Sequence, residues 1–350
     1  MSLEFITDLK RWQEIFLLLP DFFAMVYYSA PYYKIFQSNG DGTAAALLYR
    51  ENKSMVFYPF LLKQIPPKIG GKGFYDLETA YGYGGPIAFN CSSETINNYL
   101  EAFDCWARQN NVVAEFVRFN PLTLNHLDFS AYYRPALNRI TCSITLHSDF
   151  DTTLNCCKPA RRRNYHRARL AGLQFKILSD CHKFKTLYRQ TMQRLHAPDY
   201  YYFSEASFAA IDEMSESERI YAAAETTEGE LAAAAIFLLD HQSAHYHLGC
   251  SNPEFKHTQA NAFLMLEFAG YAIEQKKQIL HLGGGLSLAD KDPLFVFKSG
   301  FSDNRHEFFI GRKIHRPELY RQFSERWHSL TGSEANILLH YHYGVENEDI

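Results

Sequence analysis

The chain alternates short apolar runs with longer amphipathic stretches, a pattern typical of mixed α/β proteins. In the first half, apolar runs bounded by turn residues predict four strands, at Asp21–Tyr28, Thr43–Arg50, Ser54–Ile65 and Val112–Phe119. The amphipathic stretches there predict three helices, at residues 8–19, at residues 30–37 behind Ser29 as N-cap, and at Ser92–Gln109.

The second half repeats this order of elements. Apolar runs predict strands at Arg219–Thr226, Leu231–Leu239, Ala244–Leu248 and residues 278–282, with a long helix over residues 257–277 before the last strand. Because a meander, a long helix and a buried strand occur twice, we expect an internal duplication. The predicted fold is α/β, with a first unit over residues 1–145, a second unit over residues 146–315, and a helix at 316–330 that completes the first unit.

Composition narrows the class of protein further. The chain has 350 residues, of which 47% are hydrophobic and 21% charged, so it is long and apolar enough for two globular domains. Its net charge of −4 gives no general attraction for nucleic acid, so any tRNA contact needs a local basic patch. Seven cysteines without a C-x-x-C pair, no signal-peptide pattern and no long apolar run predict a cytoplasmic protein with reduced thiols.

The segment 245–301 carries the most specific motifs. A buried strand runs into three glycines, and a lysine lies between two aromatic residues shortly afterwards: Gly283-Gly284-Gly285 and Phe297-Lys298-x-x-Phe301. The order and spacing of these motifs resemble the C-terminal half of the Fem-type aminoacyltransferases, a branch of the GNAT acyltransferase superfamily. The resemblance is strongest over residues 150–310, and it implies two tandem GNAT-like units, each a mixed twisted sheet flanked by helices. Fem-type enzymes add amino acids from aminoacyl-tRNA to peptidoglycan precursors.

Lys298 is the catalytic candidate. The resemblance places this lysine near the aminoacyl ester and the acceptor amine, where an ammonium group can stabilise the oxyanion of the reaction. The alternative is a solvated lysine on a short helix that begins near Pro293. Phe297 and the three glycines are the substrate-binding candidates beside it, because glycines at a strand end expose amide N–H groups; a flexible turn is the alternative for them.

Basic residues elsewhere are candidates for phosphate binding. Arg161, Arg162 and Arg163 open a basic helix behind Pro159, which suits the phosphates of tRNA or of a nucleotide sugar as well as a solvated surface. Arg194 follows a threonine with T-x-x-R spacing, and the resemblance implies that it meets the phosphates of the acceptor. In the first unit Lys34 is a further candidate for phosphate binding. Tyr81 and Tyr83 are substrate-binding candidates, because the resemblance places their Y-G-Y-G-G-P loop at a Gly-Pro element of the family, although its sequence differs from that of the peptidoglycan enzymes.

Other motifs do not fit their context. Gln37-x-x-Gly40-x-Gly42 matches the sequence pattern Q/R-x-x-G-x-G/A of the coenzyme A loop in GNAT enzymes. That loop joins a strand to a following helix, whereas this segment is predicted to join a helix to a strand. The corresponding place in the second unit, Asn252–Gln259, has no glycine, so we expect coenzyme A to bind weakly or not at all. His245 and His247 share a strand face and have no obvious third metal ligand.

We therefore expect an acyltransferase that moves an aminoacyl group from aminoacyl-tRNA, or another acyl group, onto an amine of a phosphate-bearing cell-envelope precursor. No metal or redox cofactor is required for that chemistry. The first alternative is an N-acyltransferase that uses coenzyme A or carrier thioesters to modify an amino sugar or polysaccharide unit. The second is a GNAT-like protein without catalytic activity that binds a ligand or acts as a scaffold.

Overall fold

A computed structural model describes residues 2–289 and 291–345 of the chain. Its contacts group the described residues into two compact units. Unit 1 comprises residues 2–18, 27–137 and 308–345, and unit 2 comprises residues 19–26, 138–289 and 291–307. The unit boundaries of the structure fall at 137/138 and 307/308. The sequence suggested boundaries a few residues later, at 145/146 and 315/316.

Unit 1 is a mixed sheet covered by helices. Its strands up to residue 118 are β1 (Ser2–Ile6), β2 (Thr43–Glu51), β3 (Ser54–Gln64), β4 (Tyr75–Glu78), β5 (Ile87–Phe89) and β6 (Val112–Arg118). Its helices up to residue 133 are α1 (Leu9–Phe16), α2 (Ala30–Ser38), α3 (Pro67–Gly70), α4 (Ser93–Gln109) and α5 (Ser130–Tyr133). The strands follow the order β1-β2-β3-β4-β6, antiparallel except for the parallel pair β4 and β6, and β5 pairs with β3.

The strands of unit 2 are also mixed in direction, and the unit has its own core. Its strands are β7 (Ala136–Thr145), β8 (Gln174–Leu178), β9 (Arg219–Glu225), β10 (Leu231–Leu239), β11 (Ser243–Ser251) and β12 (Ile279–Gly284). Its helices are α6 (Phe150–Asn155), α7 (Pro159–Leu170), α8 (His182–Arg194), α9 (Glu205–Asp212), α10 (Ala260–Glu274) and α11 (Pro293–Lys298). The strand order is β7-β12-β11-β10-β9-β8, and only β11 and β12 pair in parallel among the described strands of this unit.

The end of the described chain belongs to unit 1. Strand β13 (Arg305–Ile314) pairs antiparallel with β6, and helix α12 (Pro317–Thr331) follows it. On α12, Phe323 and Trp327 are buried in a cluster with Ile65, Ile69 and Val113. An apolar stripe at i and i+4 therefore fixes this helix to the core of unit 1.

Each unit contains three consecutive antiparallel strands, a long helix, and a strand parallel to the third of them. The predicted α/β class, with a mixed sheet flanked by helices, is therefore confirmed. Serine N-caps that the sequence indicated are present: Ser29 accepts from the Tyr32 amide at 3.4 Å and Ser92 from the Thr95 amide at 3.1 Å. No helix within the described ranges is long and apolar enough to cross a membrane.

Three predicted elements differ from the structure. The run Asp21–Tyr28 is not a strand, because the Pro20 carbonyl accepts from the amides of Phe23 and Ala24 and turns the chain there. The helix predicted over 257–277 is shorter: a 3₁₀ helix, Pro253–Thr258, precedes α10. The strand predicted to end at 282 continues through Gly284, so two of the three glycines lie within β12.

Candidate functional site

The candidate site lies where β11 and β12 separate. Their parallel pairing is confined, in the part of the chain that the structure describes, to three residue pairs from Ser243↔Ile279 to His245↔His281. Beyond His245, β11 continues beside β10, and beyond His281, β12 continues beside β7. Both continuations contain a register shift, so the two strands leave each other and expose backbone at an opening in the sheet.

The glycines at the end of β12 are required by close packing. Gly283 has φ +74°, a left-handed conformation that favours glycine. A Cβ on Gly284 would lie 2.8 Å from the Ile140 carbonyl oxygen, and a Cβ on Gly285 would lie 2.5 Å from Asp292 Oδ1. The glycine run therefore lets neighbouring groups of the protein approach the backbone closely, and its role in substrate binding stays a prediction.

Asp292 fixes the segment after the glycines. Its buried carboxylate accepts from the amides of Leu286 and Ser287 at 2.8 and 3.0 Å, and from those of Leu294 and Phe295 at 3.0 and 2.9 Å. These backbone N–H donors hold the pKa of Asp292 below its usual range. One side chain thus joins the loop after Gly285 to the first turn of α11.

Lys298 ends α11 with its amine directed at the glycines. Its Nζ donates to the Gly284 carbonyl at 3.0 Å and lies 5.5 Å from the centre of the Tyr246 ring on β11. The side chain is only 7% exposed, so it is not the solvated lysine of the alternative interpretation. Burial lowers the pKa of Lys298 from 10.5 to about 8.

The charges around the Lys298 amine come from neighbouring elements. Asp292 favours its charged form, while Arg139 of β7 disfavours it. Arg139 Nη1 donates to the Gly285 carbonyl at 2.8 Å, one residue from the carbonyl that Lys298 uses. Two cations therefore lie on consecutive carbonyls at this strand end. Within the described residues neither forms an ion pair.

Arg161 connects α7 to the segment that carries Lys298. Its guanidinium lies 4.7 Å from the Phe297 ring centre and 5.6 Å from that of Phe301, and its Nε donates to the Phe297 carbonyl at 3.1 Å. Gly300 leaves room for it, since a Cβ there would be 2.7 Å from the same Nε. Partial burial lowers the Arg161 pKa. In this structure Arg161 holds the Lys298 segment in place.

The other predicted arginines lie apart from Lys298 or face solvent. Arg162 Nη1 donates to the carbonyls of Asn155 and Cys157 at 2.7 and 3.1 Å, at the end of α6. Arg163 is exposed on α7. Arg194, at the end of α8, donates to the Ser251 carbonyl at 3.1 Å and is therefore at the end of β11. Their roles in phosphate binding stay predictions.

The candidates of the first half belong to unit 1. Tyr83 is buried, with its ring 5.3 Å from Tyr27 and 5.1 Å from Phe308. The carbonyl of half-buried Tyr81 accepts from the Tyr32 hydroxyl. Lys34 is half-buried on α2. These aromatic contacts give the Y-G-Y-G-G-P loop a packed structure within unit 1.

The segment before α10 has no glycine turn. After the 3₁₀ helix, Gln259 takes the left-handed conformation, at φ +64°, and directly precedes α10.

His245 and His247 are buried on β11, and His245 Nε2 lies 2.9 Å from Asp240 Oδ2. Burial lowers the pKa of His247 to about 3. Among the described residues no group of three or more potential metal ligands comes together.

Sequence reasoning did not identify Arg139, Asp292 or Tyr246. Asp292 had a local signal, because an aspartate directly before Pro293 is a typical helix start. Tyr246 lies in the predicted strand, and only the docking of α11 brings Lys298 to its ring. Arg139 had no local signal, since its contact with Gly285 depends on the pairing of β7 with β12.

Comparison with known proteins finds one matching domain family and several similar folds. Residues 158–292, less than half of the chain, match the family described as Acetyltransferase (GNAT) domain. The fold is similar to that of FemX, at 14% identity and a TM-score of 0.69, over 92% of this chain and 99% of that one. It is also similar to the C-terminal domain of a putative lysylphosphatidylglycerol synthetase from Agrobacterium fabrum, at 12% identity and a TM-score of 0.55, over 87% and 91% of the two chains. The structure of L-PGS from Bacillus licheniformis matches at 13% identity and a TM-score of 0.50, over 85% and 91%.

No curated protein matches the sequence itself. At these identities the structural matches establish the fold alone, which is similar to that of FemX and of the lysylphosphatidylglycerol synthetase domain. The predicted resemblance to Fem-type and GNAT acyltransferases is confirmed in this sense. Together with the domain match over residues 158–292, it confirms the prediction of an acyltransferase of the GNAT kind.

Proposed function

We propose that this protein transfers an aminoacyl group from aminoacyl-tRNA to a primary amine of a cell-envelope precursor. The observation that carries this proposal is the buried Lys298 amine, held on the Gly284 carbonyl beside the opening between β11 and β12. A buried ammonium at the edge of a sheet opening is suited to a reaction that develops negative charge on an oxygen. The fold shared with FemX supports the aminoacyl class of donor.

In the proposed reaction the acceptor nitrogen attacks the carbonyl carbon of the ester. A carbon–nitrogen bond forms, the ester carbon–oxygen bond breaks, and the proton lost by the amine leaves with the departing ribose hydroxyl. Lys298 stabilises the oxyanion between these steps. Its ammonium has three N–H donors, one of which Gly284 uses, so two remain for the developing charge. At a pKa of about 8 the amine is mostly charged at neutral pH.

The segment before α10 favours an ester donor over coenzyme A. In a GNAT coenzyme A site, backbone amides at a helix start face the pyrophosphate. Here the 3₁₀ helix Pro253–Thr258 and the left-handed Gln259 occupy that connection, and Gln259 keeps a side chain where glycine would leave space. The second candidate function is an N-acyltransferase that acts on an amino sugar and would use acetyl-CoA as its donor.

A donor test separates these functions. The purified protein is incubated with a UDP-linked envelope precursor and either tRNA charged with labelled amino acids or labelled acetyl-CoA, and label in the precursor is measured. We expect transfer from tRNA, and micromolar binding of acetyl-CoA by calorimetry would favour the second function instead. Absence of transfer from either donor, with both ligands failing to raise the melting temperature, would contradict both enzymatic functions.

The role of Lys298 is tested by Lys298→Met, which keeps the length of the side chain without its charge. Loss of a donor to an oxyanion lowers turnover by roughly 100- to 1000-fold. Lys291→Met is the matched control, because Lys291 is an exposed lysine of the same segment. Equal turnover in the two variants would show that the Lys298 amine does not take part in the reaction.

A further inference from the structure

Three histidines of unit 2 lie side by side where the sheet opens. His245 on β11 and His281 on β12 form the last residue pair of the parallel ladder, directly before the two strands separate. Their ring centres are 5.9 Å apart, and the ring of His306, at the start of β13, lies 6.0 Å from that of His281. His245 and His281 are buried and His306 is half-buried. We call these three residues the histidine row.

Hydroxyl groups of β7 connect two members of the row to that strand. His281 Nε2 lies 3.0 Å from Thr141 Oγ1, and His306 Nε2 lies 2.7 Å from Ser143 Oγ. The Thr141 hydroxyl donates to the His306 carbonyl at 3.3 Å, so its oxygen is the acceptor for His281. His281 therefore carries its hydrogen on Nε2. A neutral imidazole makes this contact without any positive charge.

Asp240 places a carboxylate at one end of the row. Its Oδ2 lies 2.9 Å from His245 Nε2, and both side chains are almost fully buried. The neighbouring titratable groups of β11 and β7 are uncharged at neutral pH, because burial lowers the pKa of His247 to about 3 and raises the pKa of the Cys142 thiol. The negative charge of Asp240 is thus at the His245 end of the row.

The surroundings of His281 disfavour an added proton. Burial lowers the pKa of His281 well below its usual range, and the two neighbouring histidines and Lys298 lower it further. Burial also lowers the pKa of His306, and the adjacent Arg305 acts in the same direction. A proton on His281 would place a charge between two imidazoles, near an ammonium group and away from water. The row is therefore stable in its neutral form.

We propose that the histidine row is an acid-sensitive latch, which holds β12 between β11 and β7 while the imidazoles are neutral and releases it when they are protonated. Clusters of histidines act in this way where added charge repels and water can enter only after opening. Gly284, whose carbonyl accepts from Lys298, lies on the same strand as His281. Acid therefore loosens the strand end that holds the Lys298 amine. The latch concerns the strand itself and does not depend on the proposed function.

The direction of the effect follows from the lowered pKa values. Above pH 6.5, the ordinary pKa of histidine, the imidazoles are neutral in both the closed and the released strand, so the latch is fully formed. Below that pH the released strand binds protons that the closed strand does not. One pH unit lower, His281 alone shifts the balance toward release by about tenfold, and His306 adds to this shift.

Hydrogen exchange of the full-length protein, read by mass spectrometry of its peptides, tests the latch. Exchange is compared at about pH 7.5 and about pH 5.5, with labelling times scaled to the intrinsic exchange rates. We expect protection of β12 to fall by about tenfold or more at the lower pH, while β2 and β3 of unit 1 keep theirs.

Two variants of the row should weaken this response to acid. His281→Gln retains an N–H donor for Thr141 without a titratable ring, so the effect of pH on β12 should shrink by about tenfold. His306→Gln changes the half-buried end of the row and should shrink the effect in the same direction, which keeps the test valid if the buried substitution does not fold. Protection of β2 and β3 at about pH 7.5 shows that each variant is folded.

His182→Gln is the matched control, because His182 is exposed at the start of α8, outside the row. It should keep the full response of the wild type. Equal protection of β12 at both pH values in the wild type would overturn the proposal, as would the same response in His281→Gln and His182→Gln. An equal loss of protection in β2 and β3 would also overturn it, since acid would then unfold the whole protein instead of releasing one strand.

Discussion

Replacing Lys298 by methionine should make the protein more stable while it lowers turnover. The fold keeps this amine almost fully buried, and its pKa falls from 10.5 to about 8. Each tenfold change in the protonation equilibrium is worth about 1.4 kcal/mol, so holding the charged amine in the fold costs about 3 kcal/mol at neutral pH. Methionine removes this cost and retains most of the volume of the side chain.

Part of this gain is offset. Lys298 donates to the Gly284 carbonyl, and methionine leaves that acceptor without this donor. A lost hydrogen bond of this kind costs about 1 kcal/mol. The expected net gain is therefore about 2 kcal/mol in the free energy of unfolding. For a domain of the size of unit 2 this corresponds to a rise of roughly 4–8 °C in the melting temperature.

Unfolding in urea across pH tests the electrostatic origin of the gain. Below pH 8 the lysine is charged in both the folded and the unfolded protein, so its full cost is present. Between pH 8 and 10.5 the folded protein loses the proton first, and the unfolded chain binds more protons than the folded one. The wild type should therefore gain stability relative to Lys298→Met over this interval, until the advantage of the variant disappears.

Two results would refute this reasoning. One is a Lys298→Met protein that unfolds more readily than the wild type at pH 7, because the amine would then be a net stabilising group. The other is a stability difference that does not change between pH 8 and 10.5, since the amine would then have the same pKa in the folded and unfolded states. Either result would remove the basis for a buried, pKa-shifted lysine at this site.

Three further substitutions test the surroundings of Lys298. Arg139→Gln should raise the Lys298 pKa and shift the pH interval of the stability change upward, whereas Arg139→Lys, which keeps the cation, should leave it near the wild-type position. Gly285→Ala places a Cβ 2.5 Å from Asp292 Oδ1 and should cost about 1–3 kcal/mol in unfolding experiments; Gly270→Ala, whose Cβ meets Phe150 at an ordinary 3.5 Å, is the control and should be neutral or slightly stabilising. Asp292→Ala removes the cap of α11 and should destabilise the protein by about 1–2 kcal/mol at pH 7, with the difference from the wild type shrinking as the pH falls through the low Asp292 pKa.

The elements that the sequence predicts well are those that depend on neighbouring residues. The hairpin of β2 and β3, strand β10, and the serine-capped starts of α2 and α4 were all indicated by periodicity and capping residues. The apolar run Asp21–Tyr28 failed because a strand pattern does not report whether a partner strand is available, and Pro20 instead begins a turn. Strand β1 at the sheet edge received no prediction, since its pairing with β2 joins residues far apart in sequence.

The same distinction applies to the candidate site. The glycines and Lys298 lie within one short stretch, so motif spacing could indicate them together. The contact of Arg161 with Phe297 could not be predicted, because a basic run in a sequence gives no information about which arginines are used inside the fold. Arg163, two positions further along the same helix, is exposed. Only the packing of α7 distinguishes these two arginines.

The hydrogen bonds around Lys298 also differ in how they can form during folding. The bonds of Asp292 join residues at most six apart, and the bond from Lys298 to Gly284 spans fourteen, so these contacts close short loops. The bonds from Arg139 to Gly285 and from Arg161 to Phe297 span 146 and 136 residues, and they require the two ends of a long loop to meet. Because closing long loops is slow, the local segment can assemble first, while its amine is still hydrated. The lowered pKa of Lys298 should therefore be acquired late in refolding, when β7 and α7 dock.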